Sequence, residues 1–296
     1  MDYTQGNKDA WEEAFDNRSE NWCSDILMRY RSEDFPFIEG VLTEEISKLD
    51  LTDKVIGQFC CNNGRELLSI MKFGAKQGIG FDIAENQISY ANEIAKELQV
   101  NCEFIAGDIL EIDKRYDDTF DFLIITIGTL CWFQDLNLFF ERVSRCLKTN
   151  GSVMIHESHP VTNMLGAPGE EEFDEDNPRR IIYSYFERIW KENDGMEYIA
   201  GKAYKSKTFT SFSHPFSSIL DGIASNGLCL RAIHEYDFDT AAGMFSKLNQ
   251  TGIPLSYILR ADKMQIRRVK RPDSEVNLTS RRGQAAGKLK TRQKRL

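Results

Sequence analysis

The sequence predicts an α/β fold built on a doubly wound, mainly parallel sheet. Three observations carry the prediction. Strand-like and helix-like patterns alternate strictly over about a hundred residues from Val55. The stretch "FDFLIITIG" (residues 120–128) is apolar along its length, as a strand covered on both faces is. Glycines stand where intervening helices should stop, at Gly74 and Gly151.

The elements follow in order. Within residues 1–50, "AWEEAFDNR" and "PFIEGVLTEEISKL" place apolar residues at three- and four-residue intervals, which predicts an N-terminal helical cap. A turn at residues 51–53 leads into a first strand over 54–59, and a helix is expected over about 64–73. "GIGFDI" (78–83) reads as a second strand, and "ENQISYANEIAKEL" as an amphipathic helix with Ile88, Ala91 and Ala95 or Leu98 on one face. "CEFIAGDI" is a third strand and residues 120–128 a fourth. "LNLFFERVSRCLKTNG" is a helix stopped by Gly151, and "SVMIHESHP" a fifth strand.

After Pro160 the rhythm changes. "MLGAPGEEEFDEDNPRR" is a long polar loop, and "RIIYSYFERIW" and "KAYKSKTFTSFS" resemble the strands of a hairpin. Residues 161–213 therefore read as an inserted lid, since long loops in compact domains tend to serve as lids or binding segments. The helix "PFSSILDGIASNG" and the strands "LCLRAIHEYD" and "IPLSYILRADK" then extend the sheet and complete a domain over 51–262.

Composition narrows the function classes. With 296 residues, 41% hydrophobic and 28% charged, the chain can bury a sizeable core. Its apolar runs fall short of the ~20 residues that span a bilayer. No charged segment followed by an apolar one opens the chain, so a cytoplasmic location is expected. Seven cysteines without zinc-like CxxC pairs fit reduced thiols, and no metal is expected. Residues 263–296 hold twelve Lys/Arg against two Asp/Glu, a balance of +10, so the rest carries −19 of the net −9. An acidic body argues against nucleic acid as the main substrate. The basic tail reads as disordered; a tether to nucleic acid or a membrane surface is the alternative.

Ligands of open α/β sheets sit at the carboxyl ends of the strands, where strand order reverses. Three predicted strand ends carry suitable chemistry. In "QFCCNNG" (58–64), Cys60, Asn62 and Gly64 have the i, i+2, i+4 spacing of a loop whose backbone passes close to a ligand. Glycine serves there best and Asn next, because both tolerate positive φ. An ordinary strand-to-helix turn is the alternative. Asp82, 18 residues after Gly64, ends the second strand, where a carboxylate can accept from both hydroxyls of a ribose, or cap the next helix. Asp108 follows the third strand; it can accept from an exocyclic amine while Ile83 and Ile109 cover an adenine ring, or it can cap a turn.

These residues in this order resemble the class I S-adenosylmethionine-dependent methyltransferases over roughly residues 55–263. The family's first motif, an acid followed by Gly-x-Gly-x-Gly, corresponds to "QFCCNNG": Gln58 replaces the acid, Cys60 and Asn62 the first two glycines, and Gly64 keeps the third. "GFDI" resembles the ribose motif, "GDI" the adenine motif, and residues 120–160 the fourth and fifth strands with the "LKxxG" turn between. The resemblance implies a Rossmann-like seven-stranded sheet with an antiparallel last strand, and S-adenosyl-L-methionine as cofactor. It implies cofactor contacts from Gln58, Phe59, Cys60, Asn62, Asn63, Gly64, Asp82, Ile83, Gln87, Asp108, Ile109, Thr126 and Ile127. A nicotinamide dehydrogenase fits less well, because Cys60 and Asn62 would crowd a pyrophosphate at the helix N-terminus.

Methyl transfer from a sulfonium needs alignment of nucleophile and methyl, with a base only for weakly acidic hydroxyls or protonated amines. Of four histidines, His159 at the end of the fifth strand is the candidate base, and His156 and Glu157 lie just before it. Trp132, His159, Tyr185 and His214 are candidate substrate contacts. Tyr30, Arg31, Tyr183 and Tyr204 are further residues within reach of a covered pocket. Cys60 and Cys61 lack a basic activator and are not expected to be nucleophiles. The fourth strand ends "TIGTLCW" without the Asn/Asp-Pro-Pro-aromatic signature of amide and base N-methyltransferases. The expected function is methylation of a small molecule at oxygen or nitrogen. The alternatives are an RNA or protein methyltransferase tethered by the basic tail, and a non-catalytic module of the same fold. The sequence leaves the oligomeric state open.

Overall fold

The computed structural model describes residues 3–265 except Glu171, Glu187 and Ala242. Nearly all of the tail anticipated over 263–296 lies outside the described residues. Seven strands form one sheet: β1 (Val55–Phe59), β2 (Gln77–Asp82), β3 (Cys102–Ala106), β4 (Phe120–Ile125), β5 (Leu147–Ser158), β8 (Leu228–Tyr236) and β9 (Ser256–Lys263). A separate ribbon pairs β6 (Arg188–Glu192) with β7 (Phe209–Ser213). The sheet order is β3-β2-β1-β4-β5-β9-β8. β1 to β5 pair in parallel, and β9 runs antiparallel between β5 and β8. This is the α/β, Rossmann-like seven-stranded sheet expected, with its last strand reversed. Strand order turns around between β1 and β4, which opens a crevice at their carboxyl ends.

Side-chain alternation along each strand divides the core in two. Phe59, Phe81, Leu123, Val153, Ile155 and Tyr257 share a cluster with α6 (Leu136–Cys146) and α8 (Phe216–Ser225). Ile56, Phe122, Ile124, Met154 and Ile258 face the other layer, with α4 (Arg65–Met71) and α5 (Glu85–Leu98). Ile26 of α2 (Ile26–Ser32) and Leu42 and Ile46 of α3 (Gly40–Ser47) join that second cluster. The N-terminal helices therefore share a core with the sheet.

The longest helix of the N-terminal region, α1 (Tyr3–Asp16), docks on the inserted ribbon. The buried Asn7 amide acts as a strand edge: its Nδ2 donates to the Thr210 carbonyl at 2.8 Å, and the Thr210 N–H donates to its Oδ1 at 2.7 Å. Ala10 and Ala14 let the helix approach Phe209 and Ile199 of the insertion.

Two expectations are corrected. The helix expected to run to Gly151 stops at Cys146, because Leu147 already pairs with Phe120 in the sheet. The two long hairpin strands shorten to five residues each, with a helical turn, α7 (Glu197–Ala200), between them. No helix of the described residues is long and apolar enough to cross a membrane.

Gly64 ends the loop after β1 as the N-cap of α4, at φ 77°, and a Cβ there would lie 2.5 Å from the Phe104 ring. Backbone conformation and overpacking oppose a side chain together. Gly64→Ala should therefore destabilise the protein by about 2 kcal/mol or more in urea unfolding. An unchanged midpoint would contradict this packing.

Candidate functional site

The loop following β1 takes a path that few side chains tolerate. Cys60 has φ 55°, Asn62 φ 51° and Gly64 φ 77°, so three alternating residues are left-handed. These are the three positions singled out by their i, i+2, i+4 spacing. The path turns backbone N–H groups inward and is pinned by several bonds. The Cys61 N–H donates to the Phe81 carbonyl at 2.9 Å, and the Gly64 N–H to the Cys61 carbonyl at 2.9 Å. The Asn62 N–H donates to Asp82 Oδ2 at 2.8 Å. Asp82 Oδ1 accepts from the Ala84 N–H at 3.1 Å, and Ala84, not Asp82, is the N-cap of α5. A carboxylate has about four acceptor sites, so each Asp82 oxygen keeps one for a ligand hydroxyl. Burial pushes the Asp82 pKa up, and the backbone N–H groups pull against that rise.

Beneath the loop, Gln58 is fully buried in place of the expected acid. Its Nε2 donates to Glu66 Oε2 at 2.8 Å and to Thr126 Oγ1 at 3.0 Å, and the Thr126 hydroxyl donates to the same Glu66 oxygen at 2.6 Å. Gln58 Oε1 is buried without a partner. Glu66, in the first turn of α4, thus brings a carboxylate to the place where the first-motif acid is missing. Sequence reasoning passed over it because attention rested on the strand side of the turn; an acid in the first turn after a glycine loop was the available signal.

These groups meet in one cavity of about 650 Å³ at the carboxyl ends of the strands. Cys60, Asn62, Asn63, Asp82, Ile83, Asp108, Ile109, Thr126 and Ile127 all line it. Asp108 also caps the turn after β3, its Oδ1 accepting from the Leu110 N–H at 2.8 Å. Tyr3, Asn7 and Trp11 of α1 line the cavity, as do Met196 and Tyr198 from the insertion. Trp132 lines it too, edge-on to Trp11 with ring centroids 5.5 Å apart. Among the described lining residues Arg65 is the sole Lys or Arg, against Glu39, Glu66, Asp82, Asp108 and Asp239. Burial raises the Cys60 and Cys61 thiols well above their ordinary pKa.

The loop after β4 is held by one carboxylate. Glu157 Oε1 accepts from the Thr129 and Leu130 N–H groups at 2.7 and 3.0 Å, and Oε2 from Gly128 and Ser158 at 3.0 and 3.1 Å. Burial raises its pKa while the four N–H groups oppose the rise.

Other candidate residues stand elsewhere. Phe59 is core, edge-on to Phe81 and Phe139. Gln58, Gly64 and Gln87 do not line the cavity. His159 does not face the cavity: its Nε2 is 2.9 Å from Glu235 Oε1, its Nδ1 accepts from the Val161 N–H at 3.1 Å, and its ring stacks on Phe216. With both nitrogens engaged in holding a turn, it is poorly placed to take a substrate proton. His214 Nε2 donates to the Phe133 carbonyl at 2.9 Å and borders a neighbouring cavity of about 290 Å³. The Tyr185 hydroxyl accepts from the Phe216 N–H at 3.0 Å. Tyr30, Arg31, Tyr183 and Tyr204 do not line the main cavity. The histidine that does is His156.

Burial lowers the His156 pKa from 6.5 to about 4. The folded form therefore binds fewer protons than the unfolded chain between those values. The resulting stabilisation is complete above about pH 6.5 and is lost as pH falls to about 4, amounting to about 3 kcal/mol. Urea unfolding of the wild type and His156→Phe over that range should show a shallower pH slope in the variant. Equal slopes would contradict a neutral buried imidazole.

A family model described as a methyltransferase domain matches residues 55–200. The chain is 31% identical over 105 residues to the ribosomal protein L11 methyltransferase of Haemophilus ducreyi, an alignment covering 33% of this chain and 34% of that protein. It spans about a third of the length of the curated relatives it matches. Among solved structures, an S-adenosylmethionine dependent methyltransferase from Mesorhizobium loti aligns over 74% of this chain and 96% of its own, with TM-score 0.54 and 16% identity. Geranyl diphosphate C-methyltransferase from Streptomyces coelicolor A3(2) aligns over 89% and 99%, with TM-score 0.55 and 12% identity. At such identities the two structures speak for the fold. Residues 55–200, just under half of the chain, match the methyltransferase-domain family, and the fold is that of solved S-adenosylmethionine-dependent methyltransferases.

Proposed function

We propose that this chain is an enzyme that uses S-adenosyl-L-methionine to methylate oxygen or nitrogen of a small molecule. The observation that carries the reading is the convergence of the left-handed loop, Glu66, Asp82 and Asp108 on one carboxylate-rich cavity. When bound, the cofactor supplies an activated methyl on a sulfonium. The residues fit such a ligand: five carboxylates and one arginine suit a cationic ligand and disfavour a pyrophosphate. Asp82 would hold the ribose hydroxyls, with Ile83 and Ile109 flanking the adenine. Glu66, supported by Thr126, would take the ammonium of the amino-acid portion. Glu157 fixes the loop after β4, whose Ile127 and Gly128 line the cavity. α1 and the insertion add walls to the cavity through Tyr3, Asn7, Trp11, Met196 and Tyr198, and a concave, largely apolar cavity favours a small acceptor over a macromolecule. The names of the L11 methyltransferase relatives support a protein acceptor as a second reading. Removing residues 266–296 separates the two, because small-molecule turnover should survive it.

Calorimetric titration should give dissociation constants for S-adenosylmethionine and its demethylated product within the roughly 1 μM–1 mM range of enzyme substrates. Asp82→Ala should weaken both at least about tenfold, the loss of a charge-assisted hydrogen bond. Binding of neither ligand to the wild type would refute the proposal. Glu66→Gln should weaken both by about tenfold yet leave 5′-methylthioadenosine, which lacks the amino-acid portion, unaffected. Equal losses for all three would remove Glu66 from the ammonium contact.

A further inference from the structure

Among the described residues lining the main cavity, His156 and Thr240 each bury a side-chain polar atom that has no hydrogen-bond partner. His156 is 1% exposed, and its Nε2 has no hydrogen-bond partner. Thr240, between β8 and β9, buries an equally unpartnered hydroxyl. Buried polar atoms are nearly always hydrogen-bonded, so each calls for an explanation. Both residues line the same cavity, although they come from different elements. By strand alternation His156 shares the face of Met154, and it sits opposite Ile258 of β9. β5 lies three strands from β2, so His156 is about 14 Å along the sheet from Asp82. That end of the cavity is clear of the ribose and adenine contacts. The cavity lining also includes the apolar residues Phe37, Ile38, Leu42 and Met244.

We propose that His156 and Thr240 form the acceptor's binding point, and that the acceptor is an uncharged, largely apolar molecule held there by a hydroxyl group. The inference rests on the methyltransferase reading and deepens it by naming the substrate class. A hydroxyl both donates and accepts, which suits a neutral imidazole and a threonine hydroxyl. Burial keeps that imidazole neutral. Among the described lining residues a carboxylate or phosphate meets no free cation, because Arg65 points its guanidinium at the Cys23 thiol, 3.2 Å away. For an ammonium the carboxylates on offer are Asp239, which already accepts the Ala241 and Phe245 N–H groups at 2.9 and 3.0 Å, one on each oxygen, and the exposed Glu39; the amine probe tests whether Asp239 is the stronger partner. Burying either charge against neutral partners costs far more than burying a hydroxyl.

The test uses three probes of one shape: 2-phenylethanol, 2-phenylethylamine and phenylacetate. Each is titrated into the full chain, with and without S-adenosylhomocysteine, while the four histidine rings are followed by NMR. The alcohol should shift the His156 ring and bind at least about tenfold more tightly than the amine or the acid. His156→Phe and Thr240→Val should each weaken the alcohol about fivefold, one neutral hydrogen bond, and leave S-adenosylhomocysteine affinity unchanged. Thr240→Val, nearly isosteric and in a loop, serves if His156→Phe does not fold. The inference is overturned if the amine or acid binds as tightly, if no probe moves the His156 ring, or if Thr240→Val binds the alcohol like the wild type. Failure of S-adenosylhomocysteine to bind while the alcohol still shifts His156 would remove the methyltransferase reading and leave this binding point standing.

Discussion

The Asp82 carboxylate, accepting the Asn62 N–H at the end of β2, is the bond on which the site depends. It holds in place a loop with three left-handed residues, two of which are not glycine. A left-handed non-glycine residue costs roughly 1–2 kcal/mol, so this path persists only because its surroundings enforce it. The enforcement comes from both sides: Asp82 and Phe81 hold the loop to β2, while Gly64 is wedged beneath the Phe104 ring. The same carboxylate that organises the loop lines the cavity, so under the proposed function cofactor contact and loop geometry are inseparable.

Once the loop is fixed, the rest of the site follows from the sheet. β1 and β4 are neighbours at the point where strand order reverses, and the loops after them line the cavity. Two buried polar arrangements hold those loops. Gln58, Thr126 and Glu66 tie β1 and the residue after β4 to α4, and Glu157 clamps the next loop to β5. Neither involves a lysine or arginine. The carboxylates are met by amide, hydroxyl and backbone N–H groups, so their negative field persists in the cavity where a sulfonium and an ammonium would lie.

The fold was legible because alternation of strand and helix is a local property, and so was the loop, because tolerance of positive φ is a property of single residues. Asp82 and Asp108 were legible for their order along the chain. What escaped depends on side-chain direction. His159 and His156 lie three residues apart, and the sequence favoured the one at the strand end. In the sheet His156 faces the cavity while His159, beyond the strand, turns back to Glu235. Glu66 escaped because the missing acid was sought in the strand, not one turn into the helix. Tyr3, Asn7 and Trp11 escaped because no periodicity says where an N-terminal helix docks; that is settled by the Asn7–Thr210 amide pair, 203 residues apart.

The most direct test of the account is a crystal structure of the full chain with S-adenosylhomocysteine bound. The account predicts both ribose hydroxyls on Asp82, the adenine between Ile83 and Ile109, and the amino group within hydrogen-bond reach of Glu66. A ligand seated elsewhere, or an amino group turned away from Glu66 with the loop at Cys60 and Asn62 rebuilt out of its left-handed path, would contradict it.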